Sequence, residues 1–282
     1  MINPPKQACT ELVSLALRED LGIGDLTSEL TIPPEVTRTG RFIAKAPGII
    51  CGWALVEEVF RQLNPGIFLN IYSPDGSLVA PGDLLAVVSG PVKDLLSGER
   101  VALNLLQHLS GVATCTRHLV ELVADFPHVR VVDTRKTIPG LRIFQKYAVR
   151  VGGGHNHRFN LSDAILIKDN HIAACGGINA AVEKVRTMVP HTMKIEVEVE
   201  TEEQVREALA AKVDIIMLDN MSPELMAEMV QLINGQAIVE ASGNVSPENI
   251  RAIAASGVDI ISVGMITHSA PALDISLKIS SD

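Results

Sequence analysis

The sequence predicts an α/β protein in which a small antiparallel unit precedes a parallel α/β barrel. Three observations lead to this prediction. Turn pairs such as Pro47-Gly48 and Asp75-Gly76 divide residues 37–92 into short strands. Apolar residues recur at helical spacing through residues 97–124. After residue 129, short β-branched runs alternate with helical segments, which is typical of parallel strands joined by crossover helices.

The first region also contains two shorter predicted helices. Residues 11–20 predict an amphipathic helix with Leu12, Leu15 and Ala16 on one face. Residues 53–60 predict a second helix that lies on the antiparallel unit. The long helical stretch of residues 97–124 is expected to lead into the second domain.

The second region contains six predicted strands and four predicted helices. The strands are Val129–Asp133, Ala164–Lys168, Lys194–Glu198, Asp214–Asp219, Ala237–Ser242 and Asp259–Gly264. The helices are Ala180–Val189, Glu202–Ala211, Pro223–Ile233 and Pro247–Ser256. Each strand run ends in a polar residue or glycine, and the carboxyl ends of barrel strands all face one mouth. An open doubly wound sheet would collect such residues along a crevice instead. We prefer the barrel because ligand-type residues come from every strand, and no GxGxxG or Walker A motif follows any of them.

The composition excludes several classes of protein. The 282 residues carry a formal net charge of -9 and only 3% aromatic residues, which argues against nucleic-acid binding. No apolar run reaches the length needed to cross a membrane, and residues 1–10 contain no apolar signal core. The four cysteines show no disulfide or metal spacing, which favours buried thiols in a reducing, cytoplasmic compartment.

Five basic residues are concentrated near the ends of the first two predicted barrel strands. They are Arg135, Lys136, His157, Arg158 and Lys168. Any one of them alone would most often be a surface base on a loop. Because five converge in an acidic chain, we expect them to bind a small anion with two carboxylates or phosphates.

Carboxylates are expected at the same mouth. Glu196, Glu198 and Glu200 alternate along one strand and so share a face, and Asp219 ends the next strand. Such carboxylates can bind ribose hydroxyls, a Mg²⁺ ion or a developing cation. Glu200 is expected to lie on the solvated rim.

The last two strands are followed by a candidate phosphate site. Ser242-Gly243-Asn244 follows one strand and Gly264 ends the other. Backbone amides at these positions commonly bind phosphate in barrels.

Two glycine- and histidine-rich features allow more than one interpretation. Gly152-Gly153-Gly154 either lets backbone approach a ligand or forms a plain loop. His155 and His157 form an HxH pair that could bind zinc. Arg158 and Lys168 would repel a cation, so a loop histidine satisfied by its neighbours is the default interpretation, and His157 beside Arg158 could also help hold an anion.

The motifs together resemble the quinolinate phosphoribosyltransferase family over nearly the whole chain. The resemblance rests on Asp133–Thr137, Gly152–Arg158 and Lys168–His171 in the barrel region. It extends to the N-terminal motif Asp20–Ser28, the helical motifs Glu99–Asn104 and Ser110–Thr114, and the end motifs Ser262–Gly264 and Thr267–Ser269.

This resemblance implies a fold and an activity. An N-terminal α/β sandwich, residues 1–112, would be joined by the C-terminal tail 270–282, and residues 113–269 would form an incomplete α/β barrel of the type II phosphoribosyltransferase kind. The family transfers phosphoribosyl from phosphoribosyl pyrophosphate (PRPP) to quinolinate with decarboxylation, in NAD biosynthesis, using Mg²⁺. The resemblance also implies a homodimer, or a higher oligomer, with shared active sites.

The resemblance assigns roles to named residues. Arg135, Lys136, His157 and Arg158 would hold quinolinate, and Arg100 would reach the site of a partner subunit. Lys168, Glu198 and Asp219 would be catalytic, serving the ribose and pyrophosphate of PRPP. Glu198 and Asp219 would also hold Mg²⁺, mainly through PRPP and water. The residues that would bind the 5′-phosphate are Ser242, Gly243, Asn244 and Gly264.

Three alternatives remain at this point. A related transferase linked to molybdenum transport would keep the fold with another acid, but it needs fewer anion contacts than this basic set offers. A metal-dependent barrel hydrolase would use His155 and His157. A non-catalytic dicarboxylate sensor would bind quinolinate and release no pyrophosphate.

Overall fold

The computed structural model describes residues 3–280, which form two compact units. Of the described residues, the first unit comprises 3–117, 138–153 and 270–280, and the second comprises 118–137 and 154–269. This division differs from the sequence-based one because residues 113–117 and 138–153 group with the first unit. Within the described residues, no helix combines the length and hydropathy needed to cross a membrane.

The first unit is built on a four-stranded antiparallel sheet. Its elements are α1 (Lys6–Leu21), α2 (Leu26–Thr31), β1 (Thr37–Ala44), β2 (Gly48–Ile49), α3 (Trp53–Leu63), β3 (Phe68–Ile71), β4 (Leu78–Val79), β5 (Leu84–Pro91), most of α4 (Val92–Leu122), α5 (Arg142–Val151) and β12 (Ile275–Ile279). The sheet order is β12-β1-β5-β3, and β2 pairs with β4. The chain therefore returns at its C-terminal end to complete the sheet of its N-terminal region.

Helix α1 buries a different face from the one predicted. Cys9, Val13 and Leu17 are buried, whereas Leu15 is 56% exposed. The prediction was wrong because α1 carries two apolar stripes, and the stripe at i, i+4 and i+8 packs in the first unit. Hydrogen bonds from α1 to α3 hold this orientation, including Thr10 Oγ1 to Glu58 Oε1 at 2.8 Å. The helices predicted at residues 53–60 and 97–124 are confirmed as α3 and α4.

The second unit is a parallel α/β assembly. Its strands are β6 (Arg130–Val132), β7 (Ile165–Ile167), β8 (Ile195–Val199), β9 (Ile215–Asp219), β10 (Ile238–Ser242) and β11 (Ile260–Ser262). Its helices after α4 are α6 (Asp169–Cys175), α7 (Ile178–Met188), α8 (Glu202–Ala210), α9 (Pro223–Ile233), α10 (Ile250–Ala255) and α11 (Met265–His268). All six predicted strands and all four predicted helices are confirmed, although α10 begins at Ile250, three residues later than predicted.

The strand order is that of an incomplete barrel. It runs β6-β11-β10-β9-β8-β7, so β7 to β11 are neighbours in chain order and β6 closes onto β11. No pairing joins β6 to β7 among residues 3–280; the free side of β6 instead carries a parallel bridge between Val132 and His155. A doubly wound sheet would reverse its strand order at a switch point. The predicted fold class, an α/β sandwich unit with an incomplete parallel barrel, is confirmed.

A repeated sequence fixes the register at the amino ends of the barrel strands. Val-Asp-Ile-Ile occurs at residues 213–216 and again at 258–261. Asp214 Oδ2 accepts a hydrogen bond from Ile195 N, and Asp259 Oδ2 accepts one from Val239 N, each at 2.8 Å. Val213, Ile216, Val258 and Ile261 are buried in the barrel core, and Ile215 and Ile260 are half-buried. These bonds hold neighbouring strands in step, so their carboxyl ends finish at one level.

Candidate active site

A cavity of about 660 Å³ lies at the carboxyl ends of the barrel strands. Its lining consists of Thr134, Arg135, Lys136, His157, Arg158, Leu166, Lys168, Glu198, Met217, Asp219, Asn220, Glu240, Ser242, Gly243, Asn244 and Ser262. Of the residues to which the family resemblance assigns roles, all line this cavity except Arg100 and Gly264. The expectation that the carboxyl ends of barrel strands meet at one mouth therefore identified residues that are far apart in the sequence but line one cavity.

The segment that carries His157 and Arg158 is anchored by a buried aspartate. Asp133 follows β6 and is fully buried. Its Oδ1 accepts a hydrogen bond from His157 N at 3.0 Å, and its Oδ2 accepts one from Asn156 Nδ2 at 2.6 Å. Together with the bridge between Val132 and His155, these bonds place His157 and Arg158 beside the end of β6.

The basic side of the cavity is electrostatically suited to an anion. Burial lowers the pKa of the Arg158 guanidinium, and the nearby positive charge of Arg135 lowers it further. Arg158 Nη1 donates to the carbonyl oxygen of Ala164 at 2.9 Å, which fixes the side chain on its loop. Two guanidinium groups held near each other in a partly buried site favour a bound carboxylate, because each offers a planar pair of donors.

Lys136 is held by its backbone rather than by its side chain. Its amide donates to Thr134 Oγ1 at 3.0 Å, and its carbonyl accepts from Thr267 Oγ1 at 2.8 Å. A Cβ atom on Gly264 would lie 3.0 Å from Lys136 Cδ, so Gly264 borders Lys136 although it does not line the cavity. The glycine leaves room for the lysine side chain.

His157 is turned towards two buried carboxyl groups. Its Nδ1 accepts a hydrogen bond from Arg158 N at 2.8 Å, which assigns the ring proton to Nε2. Nε2 lies 3.1 Å from Glu196 Oε2 and 3.6 Å from Glu240 Oε1. Burial, followed by the charge of Glu196, raises the pKa of Glu240 to about 8, which favours the neutral form of this carboxyl group.

The HxH pair does not converge on one point. His157 lies with Glu196 and Glu240, the one group of potential metal ligands found within residues 3–280, and His155 does not belong to it. His155 instead pairs through its backbone with β6. The two imidazoles therefore do not form the zinc site that the hydrolase alternative requires.

The carboxylates of β8 become more exposed towards the mouth. Glu196 is buried, Glu198 is partly buried and Glu200 is exposed, as expected for a rim residue. Glu198 forms an ion pair with Lys168 across β7 and β8. The backbone amide of Lys168 donates to His171 Nδ1 at 3.0 Å, so the start of α6 holds the lysine at the end of β7.

The ends of β9 and β10 carry polar groups on neighbouring strands. Asp219 pairs in register with Ser242. Asn220 donates from Nδ2 to Asp219 Oδ2 at 2.7 Å. Asn220 and Glu240 both line the cavity, and neither was predicted as a site residue. Asn220 follows a strand that ends in a ligand-type residue, and that position is the signal that could have found it.

Gly152 and Arg100, for which the sequence suggested a role in ligand binding, do not line the cavity. A Cβ atom on Gly152 would lie 2.5 Å from the carbonyl oxygen of Ala113 and 2.7 Å from Thr116 Cβ, so this glycine serves packing against α4. Arg100 is an exposed residue of α4 in the first unit.

A second cavity, of about 710 Å³, lies at the amino ends of the strands. Its acidic residues are Asp214 and Asp259, whose carboxylates accept strand amides. Because these groups serve the sheet, chemistry is expected at the carboxyl ends.

Two protein-family models match the chain along most of its length. The family model described as "Quinolinate phosphoribosyl transferase, C-terminal domain" matches residues 112–278, and the corresponding N-terminal domain model matches residues 25–110. The chain is 47% identical over 262 residues to a probable nicotinate-nucleotide pyrophosphorylase [carboxylating] of Bacillus subtilis, covering 93% of this chain and 90% of the relative.

A plant relative and a solved structure give the same result. The quinolinate phosphoribosyltransferase [decarboxylating] 2b of Nicotiana tabacum is 42% identical over 298 residues, covering 99% of this chain and 84% of the relative. The structure of the nicotinate-nucleotide pyrophosphorylase from Francisella tularensis superimposes with a TM-score of 0.94 at 41% identity, covering 99% of this chain and 98% of the other.

Proposed function

The chain belongs to the quinolinate phosphoribosyltransferase family, and we propose that the cavity at the carboxyl ends of its barrel strands is the active site. The enzyme is a decarboxylating phosphoribosyltransferase of NAD biosynthesis. It joins the phosphoribosyl group of PRPP to the ring nitrogen of quinolinate and gives nicotinate mononucleotide, pyrophosphate and CO₂. The observation that carries the proposal is that one cavity presents basic groups near β6 and carboxylate and amide groups at β8 to β10.

Quinolinate is proposed to bind on the basic side. Arg135, Arg158 and Lys136 offer guanidinium and ammonium groups to its two carboxylates. His157, whose ring nitrogens contact Arg158 N and the Glu196 and Glu240 carboxyl groups, contributes by holding this side in place. A neutral Glu240 would also keep negative charge away from the dianion.

PRPP is proposed to bind across the other side. The 5′-phosphate would meet the Ser242–Asn244 loop and the backbone near Gly264, and the ribose would meet Asp219 and Glu198. Lys168, which forms an ion pair with Glu198, would stabilise the negative charge that a leaving pyrophosphate gains. Departure of pyrophosphate leaves positive charge on the ribose, which the two carboxylates would stabilise.

Mg²⁺ fits this part of the cavity as an ion carried mainly by PRPP and water. Carboxylate oxygens are the ligands that Mg²⁺ prefers, and Glu198 and Asp219 supply them at the ends of neighbouring strands. Both carboxylates already have a donor, Lys168 for Glu198 and Asn220 for Asp219. Bound Mg²⁺ would neutralise charge on the pyrophosphate.

Decarboxylation follows from the bond to the ring nitrogen. The quaternary nitrogen draws electrons from the adjacent carbon, so the carboxylate beside it leaves as CO₂ and its bonding electron pair stays on that carbon until a proton replaces it. The pocket would contribute by holding that carboxylate away from bulk water, where its charge is less well solvated. No organic cofactor is needed for this step.

We further propose a homodimer in which Arg100 of one subunit completes the site of the other. Arg100 is exposed on α4 and would add a base to the dicarboxylate site. Large apolar side chains are exposed in the same unit, with Leu15 at 56%, Leu26 at 64% and Leu30 at 84%. Exposed apolar residues of this kind favour an interface between subunits. A cytoplasmic location is supported by the four unpaired cysteines.

The test is the release of both products from one reaction. Purified enzyme with PRPP, Mg²⁺ and quinolinate carboxyl-labelled at carbon 2 should release one CO₂ and one pyrophosphate for each nicotinate mononucleotide formed. A dicarboxylate sensor would bind quinolinate and release neither product, and a transferase for another acid would turn over only when that acid replaced quinolinate. Either result would overturn the proposal.

A further inference from the structure

Asn220 connects the two parts of the cavity that are assigned to opposite ends of PRPP. Its Nδ2 donates to Asp219 Oδ2 at 2.7 Å, and its Oδ1 accepts from Asn244 Nδ2 at 3.1 Å. The side-chain amide therefore has one defined orientation, because reversing it would place an oxygen against the carboxylate and a donor against a donor. Asp219, Asn220 and Asn244 form a continuous chain of hydrogen bonds across the mouth.

The backbone at this place is unusual in the same way on both strands. Asn220 has φ +53° and Asn244 has φ +50°, in the left-handed region that side chains other than glycine seldom adopt. Asparagine tolerates this conformation better than most residues, but it still costs free energy. Two such residues beside each other at the ends of β9 and β10 indicate that the chain is held in this shape for the site.

The Asn220 side chain also sits directly against the loop after β10. Gly243 has φ +96°, and a Cβ atom there would collide with the amide group of Asn220. The Asn220 backbone amide donates to the carbonyl oxygen of Ser242 at 2.9 Å. On the far side, Asn249 Nδ2 donates to the carbonyl oxygen of Asn244 at 3.0 Å. The loop of residues 242–244 is thus held by Asn220 on one side and by Asn249 on the other, and Asn220 also contacts Asp219.

We propose that Asn220 is a positioning residue that sets the Asp219 carboxylate relative to the 242–244 loop. The inference rests on the proposed function, in which Asp219 serves the ribose and pyrophosphate end of PRPP and the loop serves its 5′-phosphate. One amide that bonds to both holds the two ends of the substrate at a fixed separation. Quinolinate, on the other side of the cavity, does not depend on this link.

The variant Asn220→Gly removes the amide and leaves a residue that adopts positive φ without strain. We expect kcat/KM for PRPP to fall about 10-fold or more, as for the loss of a hydrogen bond to a charged group and a second to a neutral one. The dissociation constant for quinolinate should change less than about twofold. Asn234→Gly is the matched control, because Asn234 has φ +46° at the end of α9 and does not line the cavity.

Two further variants separate positioning from simple folding effects. Asn220→Asp keeps the acceptor for Asn244 but replaces the donor with a negative charge beside Asp219, so its loss for PRPP should exceed that of Asn220→Gly. Asn244→Gly should lower kcat/KM for PRPP by itself. The double variant with Asn220→Gly should lower kcat/KM by less than the product of the two separate factors. Both substitutions remove the same hydrogen bond between Asn220 and Asn244, so its loss is counted only once.

The possible results are distinguishable. If the wild type turns over PRPP and Asn220→Gly keeps its kcat/KM within about twofold, the inference is wrong while the proposed function stands. Equal losses for PRPP and quinolinate, or a double variant whose factors simply multiply, would also overturn it. If the wild type shows no PRPP-dependent turnover, the proposed function has failed, and the inference fails with it. Should Asn220→Gly not fold, Asn220→Asp gives the same decision, because it replaces one heavy atom, the amide nitrogen, and changes the side-chain volume little.

Discussion

Replacing Glu240 with glutamine should remove a loss of stability that the wild-type protein suffers as pH rises. Glu240 is 1% exposed, and its pKa is raised from 4.5 to about 8, first by burial and then by the charge of Glu196. Between these two pH values the folded protein holds a proton that the unfolded chain does not. Unfolding therefore releases a proton, and the free energy of unfolding falls as pH increases from 4.5 towards 8.

The size of the effect follows from the shift. Each pH unit inside this window changes the free energy of unfolding by at most about 1.4 kcal/mol, so the limit between pH 5 and pH 7 is about 3 kcal/mol. This is an upper limit because the Glu240 carboxyl group interacts with neighbouring groups, and a group in an interacting cluster releases its proton over a wider pH range. Glutamine stays neutral throughout, so Glu240→Gln should gain stability over the wild type by up to this amount between the two pH values.

Urea unfolding of both proteins at pH 5 and pH 7, at one ionic strength, measures this difference directly. Comparing the two pH values cancels any constant effect of glutamine on packing. Glu200→Gln is the control, because Glu200 follows β8 at its exposed end and should leave the wild-type pH dependence in place. If the stability of Glu240→Gln changes with pH in parallel with the wild type, Glu240 is not the buried proton carrier, and this description of the His157 side is wrong.

Three further predictions concern the substrates and the assembly. Arg135→Ala should weaken quinolinate binding more than about 10-fold with little effect on PRPP, and Asp219→Ala should do the reverse, as separate titrations of each ligand would show. Nicotinate should have a kcat/KM more than about 10-fold below that of quinolinate in parallel assays, because one missing carboxylate leaves bases unpaired in the pocket. Arg100→Ala and Lys168→Ala should each be nearly inactive, yet activity should return when the two proteins are dissociated, mixed and reassociated, because one of the two mixed sites then carries neither change.

Each of these has a result that contradicts it. Equal weakening of both ligands by Arg135→Ala and Asp219→Ala would abolish the division of the cavity into an acid side and a PRPP side. Similar turnover of nicotinate and quinolinate would mean that the second carboxylate has no dedicated base. Reassociated mixtures of the Arg100 and Lys168 variants that stay inactive would show that Arg100 does not act across the subunits.

Much of the barrel could be predicted because its strands repeat one simple pattern. Runs such as Ile215–Asp219 are apolar up to a final polar residue, since both faces of a parallel strand are buried and its end reaches the mouth. The same pattern explains why Lys168, Glu198, Asp219 and Ser242 could be placed at one cavity. Local sequence and the rule of the barrel mouth point to the same answer.

Several features depend on tertiary packing, which chooses between options that the local sequence leaves open. Helix α1 offers two apolar stripes, and the sequence does not say which one packs inwards. The glycine triplet was given a possible ligand role, but Gly152 is small because α4 passes close to it. Residues 138–153 belong to the first unit through contacts with residues far away in the sequence. The periodicity of apolar residues does not predict such contacts.

Two residues of the site could not be assigned from their own neighbourhood. Glu240 lies in the middle of β10, where both faces of a parallel strand are buried, and its closeness to His157 and Glu196 gives it a role. Asn220 follows a strand end, but its contact with Asn244 depends on the left-handed turns at both positions. The pairing of β9 with β10 brings these two strand ends together, and that pairing joins residues far apart in the sequence.

A crystal structure of the enzyme with quinolinate, Mg²⁺ and an unreactive PRPP analogue tests the central claim most directly. We expect the quinolinate carboxylates to contact Arg135 and Arg158. We expect the 5′-phosphate of the analogue to bind the Ser242–Asn244 loop, and its ribose to lie beside Glu198 and Asp219. The ring nitrogen would then face the ribose carbon that it attacks. Quinolinate bound on the Ser242–Asn244 loop, or the analogue's 5′-phosphate bound to Arg135 and Arg158, would contradict the account.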